Sequence, residues 1–117
     1  GSARMSDEFR RYTRRDVIQQ IDAIDLMTQK TLGKVANISE YGIMILTHIH
    51  INNDAIYQCE LIFPYTYPFR SPFIIGLQEM WTEPVATGKV SYAGFRIIDI
   101  ESTDRLRISE WANQSLR

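Results

Sequence analysis

From residue 34 onward, short apolar runs alternate with polar corners at intervals too tight for helices. Residues 34–38 and 42–51 are two such runs; in the second, Ile43, Ile45, Ile49 and Ile51 share a period-two face interrupted at Thr47. Residues 56–63 alternate most clearly, with Tyr57, Cys59, Leu61 and Phe63 on one face and Gln58 and Glu60 on the other, the pattern of a half-buried antiparallel strand. Residues 73–77, with a segment around Met80-Trp81, predict a further strand bulged at Gly76. Residues 91–100 predict the last, with Phe95 and Ile97 opposite Arg96 and Ile98. Turns are expected at Thr31-Leu32-Gly33, at Asn52-Asn53-Asp54 and at Thr87-Gly88, and a proline-flanked loop at 65–72. Residues 17–27 are ambiguous: Val17, Ile21, Ile24 and Thr28 have helical spacing, whereas the density of isoleucine suits a strand. After residue 101 the period changes. Ser102 or Thr103 can cap a helix, Asp104 complements its positive end, and Ile108, Trp111, Ala112 and Ser115 form one face. The predicted class is all-β, a small six-stranded antiparallel barrel with a C-terminal helix.

Composition narrows the functional classes. A chain of 117 residues is one domain's worth, and 44% apolar with 23% charged residues is ordinary for a soluble protein. A net charge of −1 supplies no global field toward nucleic acid or a membrane surface, so an anion site has to be a local basic cluster. Cys59 is the sole cysteine, which excludes an intramolecular disulfide and a CxxC zinc site; it is expected to pack as a small apolar residue. No apolar run has transmembrane length and no signal peptide is visible, so no membrane insertion and a cytoplasmic location are expected. Residues 1–4, ahead of Met5, read as an expression-tag remnant, 5–16 as a flexible arginine-rich arm, and 17–117 as barrel plus helix. His48 and His50 are expected on one strand face without a third ligand nearby, so no metal site is predicted. The chain offers no nucleophile–histidine arrangement and no phosphate-binding glycine loop, and enzyme activity is not expected. Asp99, Glu101 and Asp104 sit where carboxylates cap a helix.

Two polar features remain. Arg10, Arg11, Arg14 and Arg15 crowd into the arm around Tyr12, and four mutually repelling guanidiniums gain from an anionic partner. Asn37-Ile38-Ser39-Glu40-Tyr41-Gly42 is a corner between two apolar runs, rich in groups that cap backbone and with a glycine free to take positive φ. Arg10 to Arg14 is an RxxxR spacing, which Arg11 to Arg15 also satisfies, and Asn37-x-Ser39-x-x-Gly42 fits [D/N]xSxxG, one hairpin's length of chain further on. With the Gly94-Phe95-Arg96-Ile97 run on the last strand and the terminal helix, the chain resembles the PilZ domain, a bacterial family that binds the second messenger cyclic di-GMP.

That resemblance implies a six-stranded barrel whose first strand is residues 17–27. It also implies a ligand, cyclic di-GMP, with no other cofactor, held by Arg10, Arg11, Arg14, Arg15, Asn37, Ser39 and Gly42. Arginine suits such a ligand because it forks onto phosphate, pairs with guanine O6 and N7, and stacks on purines. Tyr41, Trp81 and Arg96 are candidates for stacking or auxiliary contacts. The implied output is relay to an effector protein in motility, adhesion, biofilm formation or virulence, from a monomer or homodimer carrying one nucleotide or an intercalated pair. The rival reading is a PilZ-like adaptor that binds no nucleotide and acts by protein contacts, with Tyr65, Tyr67 and Phe69 as its surface. A single-strand nucleic-acid binder is disfavoured, since the basic residues form a cluster rather than a groove-length track.

Overall fold

The computed structural model describes residues 15–16 (residue 16 by its backbone), 20–64, 69, 72–85 and 88–114. The chain runs β1 (Arg15–Asp16), β2 (Asp22–Asp25), β3 (Lys30–Ile38), β4 (Gly42–Thr47), β5 (Ile56–Ile62), β6 (Ile74–Pro84), β7 (Ser91–Asp99) and α1 (Ser102–Gln114). β3 pairs with β2, β2 with β5, β5 with β6, β6 with β7 and β7 with β4, which returns to β3; every pairing is antiparallel. The circuit of six strands closes and so removes the sheet edges that would otherwise invite association. This is the closed barrel with a C-terminal helix that the sequence predicts, a PilZ-like fold.

Period-two patterning builds the wall. In β5, Cys59 and Leu61 are buried while Ile56, Gln58 and Ile62 face outward. Ile43 and Ile45 of β4, Ile75 and Leu77 of β6 and Phe95 of β7 complete an interior without solvent exposure. Thr47 continues the inward face rather than interrupting it. Its hydroxyl donates to Leu32 O at 2.7 Å and accepts the Ile49 N–H at 3.1 Å, so the strand ends there. His48 and His50 therefore lie beyond β4 in an exposed bend, not together on a strand face as expected.

The N-terminal third departs from expectation. β2 is four residues long, and the chain turns at Leu26–Gln29, where Gln29 N–H donates to Asp25 O and Met27 N–H to Asp25 Oδ1. Thr31-Leu32-Gly33 is not the turn; it belongs to β3. Gly33 is needed for close approach instead, because a Cβ there would run into the Leu46 carbonyl and the Ile45 side chain. β1 pairs with the far end of β3, Arg15 opposite Ile38 and Asp16 opposite Asn37, on the side of β3 that β2 occupies at the near end. Within the expected first strand, 17–27, β2 occupies Asp22–Asp25, while β1 lies ahead of it in the expected arm; residues 17–19 lie outside the described residues.

The helix joins the barrel core through Ile108, Trp111 and Ala112. Ser115, expected on the same face, is outside the described residues. The first helical hydrogen bond, Arg105 N–H to Glu101 O at 3.0 Å, makes Glu101 the cap; Ser102 and Thr103 are already in the first turn. Trp111 meets Phe69 edge-on at 6.0 Å, and Phe69 stacks on Phe63 at 4.4 Å and meets Phe73 at 5.5 Å. Phe69 is therefore packing rather than an exposed adaptor surface; Tyr65 and Tyr67 are outside the described residues.

Candidate functional site

The corner between β3 and β4 is built by its own polar groups. Ser39 N–H donates to Gly42 O at 2.8 Å, Gly42 N–H donates to Ser39 Oγ at 3.2 Å, and the Ser39 hydroxyl can donate to Gly42 O at 3.3 Å. Ser39 is 2% exposed, so its hydroxyl closes the turn from inside. Gly42 begins the β4 ladder opposite Arg96, and the glycine with positive φ among the described residues is Gly88 at +74°. The corner is tight through Ser39, without the left-handed glycine expected at Gly42.

Asn37 is different. A register shift between Val35 and Asn37 leaves Ala36 unpaired against β4 and turns Asn37 toward Met44 on the outer face of the wall. Its Nδ2 lies 4.0 Å from Met44 Sδ, a weak contact, and its Oδ1 is buried with no hydrogen bond from any described residue. An unmet buried acceptor is uncommon in a folded domain and calls for a donor. The same outer row continues along the ladders through Met44 to Gly94 and Trp81. A Cβ on Gly94 would strike the Trp81 indole, so the missing side chain is what lets the ring lie across β7. In sequence Gly94 stands out only as part of the Gly94-Phe95-Arg96-Ile97 run, with nothing to link it to Trp81.

The other predicted residues fall around this row. Arg96 is exposed, next to the corner through Gly42, and donates to Gln78 Oε1 at 2.8 Å. Tyr41, 37% exposed, has the Arg105 guanidinium over its ring at 4.4 Å. Arg15 places its guanidinium over the Trp111 ring at 4.2 Å and donates to Trp111 O at 3.1 Å. Arg10, Arg11 and Arg14 lie outside the described residues. β1 sets Arg15 opposite Ile38 and Asp16 opposite Asn37.

Away from the corner, burial shifts Cys59 and Asp104. Burial, then the charge of Asp25, pushes the Cys59 thiol up to about 12, so it stays protonated and inert. Burial, then Glu101, raises Asp104 above the usual aspartate range, while Arg107 at 3.9 Å partly opposes the shift. No cluster of three or more His, Cys, Asp or Glu among the described residues could hold a metal ion, and none of their helices is long and apolar enough to cross a membrane.

Neither a protein-family model nor a curated protein matches the chain in sequence. In structure it resembles the Bacillus subtilis inhibitor of motility (MotI/DgrA), with a TM-score of 0.72 at 10% identity over 90% of this chain. The chain spans 50% of the length of that protein. At this identity the likeness speaks for the fold.

Proposed function

We propose that the chain is a receptor for cyclic di-GMP that relays the signal to a protein partner and performs no chemistry itself. The observation that supports this reading is the pairing of β1 with β3, in which Arg15 lies opposite Ile38 and Asp16 opposite Asn37. Asn37 Oδ1, buried and unmet among the described residues, suits a guanine edge, whose N1–H and N2–H are donors. The arginines of the arm supply phosphate forks and purine stacking, and Arg96 adds positive charge beside Gly42. Because Arg15 is engaged with Trp111, the Arg10/Arg14 register is the better phosphate pair. The fold likeness to a protein named an inhibitor of motility supports motility as the process affected.

Calorimetric titration tests the reading. Cyclic di-GMP should bind the native chain, with affinity falling as salt rises, and a short oligonucleotide should not bind. Binding should be lost in Arg10→Ala/Arg14→Ala and weakened at least tenfold in Asn37→Ala; no heat at any salt concentration would sink it.

The second reading is a PilZ-like adaptor without nucleotide. It is favoured by the engagement of Ser39 Oγ in the turn and of Tyr41 with Arg105, which leaves Asn37 as the corner's main unmet group. Failure of the titration selects it.

A further inference from the structure

Three outward-facing isoleucines stand together on the barrel wall. Ile62 on β5, Ile74 on β6 and Ile98 on β7 are 42%, 38% and 42% exposed. Ile74 is opposite Glu60, and Glu60 is opposite the half-buried Ile24; Ile62, two residues on from Glu60, is diagonal to both isoleucines. Ile98 joins them through a bulge. Gly76 pairs with Asp99 and Leu77 with Ile97, so Ile98 has no ladder partner between them, and both it and Asp99 are exposed. Gly76 leaves the bulge room, since a Cβ there would lie 3.0 Å from Asp99 Cβ and 3.5 Å from Ile98 Cγ1.

The carboxylates set among these isoleucines are not neutralised by the wall. Glu60 and Asp99 form no ion pair with any described residue. Asp22, opposite Ile62, accepts from Gln20 Nε2 at 2.9 Å and faces Lys34 across the ladder. Arg96, further along β7, donates to Gln78 Oε1 at 2.8 Å, and Gln78 is the ladder partner of Ile56. Negative charge without a partner therefore collects at the isoleucine end of the wall. Lysine and arginine suit such a surface, because their stems lie on aliphatic groups while their heads reach carboxylates. β5, β6 and β7 are each paired on both sides, so side chains, not an added strand, must carry any contact here.

We propose that this wall docks a protein partner through a segment in which lysine or arginine alternates with aliphatic residues. The aliphatic side chains cover Ile62, Ile74 and Ile98, and the cations meet Glu60 and Asp99. None of these residues belongs to the Asn37 corner. The surface serves a nucleotide receptor and a nucleotide-free adaptor alike, so it stands or falls apart from the binding of cyclic di-GMP.

The experiment uses the whole chain, labelled for amide resonances and free of nucleotide. The probes are two short peptides, one alternating leucine with lysine and one alternating leucine with glutamate. The lysine peptide should shift the amides of residues 60–62, 74–76 and 97–99, and the glutamate peptide should leave them in place. This mapping needs no variant. Ile62→Ser/Ile74→Ser and Glu60→Gln/Asp99→Asn, all at outward-facing positions, should each weaken binding roughly tenfold, the second pair also flattening its salt dependence. Ile56→Ser, on the same strand but toward Gln78 and Arg96, should bind as the native chain does. Absent shifts, shifts confined to other strands, equal binding of both peptides, or unchanged affinity in either double variant overturns the proposal. Movement of the same amides with the chain's own concentration, without peptide, also overturns it, by making a second copy the occupant.

Discussion

Glu79 and Asn37 both bury polar atoms in the barrel wall, and the wall treats them oppositely. Glu79, 2% exposed on β6, accepts the Asp54 N–H on Oε1 at 3.0 Å and the Thr82 hydroxyl on Oε2 at 2.6 Å. Its carboxylate pins the 52–55 turn, where Asp54 takes a φ of 62°. Asn37, on β3, has a 4.0 Å contact to a thioether and an acceptor that meets no described donor. The barrel matches its structural polar groups in place, so the unmatched one marks a position where stability was not the whole requirement.

Stability measurements can break that contrast. In urea unfolding, Glu79→Ala should cost about 2–4 kcal/mol, because it strands the Asp54 N–H and the Thr82 hydroxyl. Asn37→Ala should cost less than about 1 kcal/mol, since no strong partner is lost. Equal losses would make Asn37 a structural amide and remove the reason to place a ligand there.

Ser39→Ala sharpens the same boundary within the corner. It should lower stability by about 1 kcal/mol, as a turn hydrogen bond is worth, and change nucleotide affinity far less than Asn37→Ala does. A larger effect on affinity than on stability would return Ser39 to the ligand site.

Two titrations give the smallest effects. Cys59 should resist thiol reagents at pH 8 until the chain unfolds. Its folded value of about 12 lies above the ordinary 9.0, so in that interval the folded state holds the extra proton and stability falls as pH rises. Cys59→Ala should flatten that alkaline slope. For Asp104 the folded value is also raised, so its contribution is greatest below the ordinary aspartate range and is lost as pH rises through the folded value. Asp104→Asn should reduce the acid-side slope in denaturation curves; a steeper slope would mean that Arg107, not burial, governs this carboxyl.

Much of the barrel was legible because period-two burial is local. Residues 56–63 alternate in sequence and in burial alike, and the Gly76 irregularity and the Gly88 turn fall where the residues announce them. The early chain was less legible. Thr31-Leu32-Gly33 has turn composition, yet its glycine answers to the approach of Leu46 and Ile45 across the sheet, a contact no local pattern encodes. The pairing of Arg15 and Asp16, expected in the arm, likewise depends on the stretch of β3 that lies beyond its pairing with β2. In the corner, the residue types were readable and their division of labour was not: Ser39 is consumed by the turn and Asn37 is left unmet because a register shift at Ala36 rotates it outward.

The sequence by itself determined that this chain forms strands and one terminal helix, since alternation and capping act over a few residues. It also placed the arginines and the amide-bearing corner one hairpin apart. Tertiary structure alone decided that β1 runs beside Asn37, that Arg15 answers to Trp111, and that Arg105 answers to Tyr41. Those pairings join residues distant in the chain, and they exist only because closing the barrel brings its first strand, its corner and its last helix to one side.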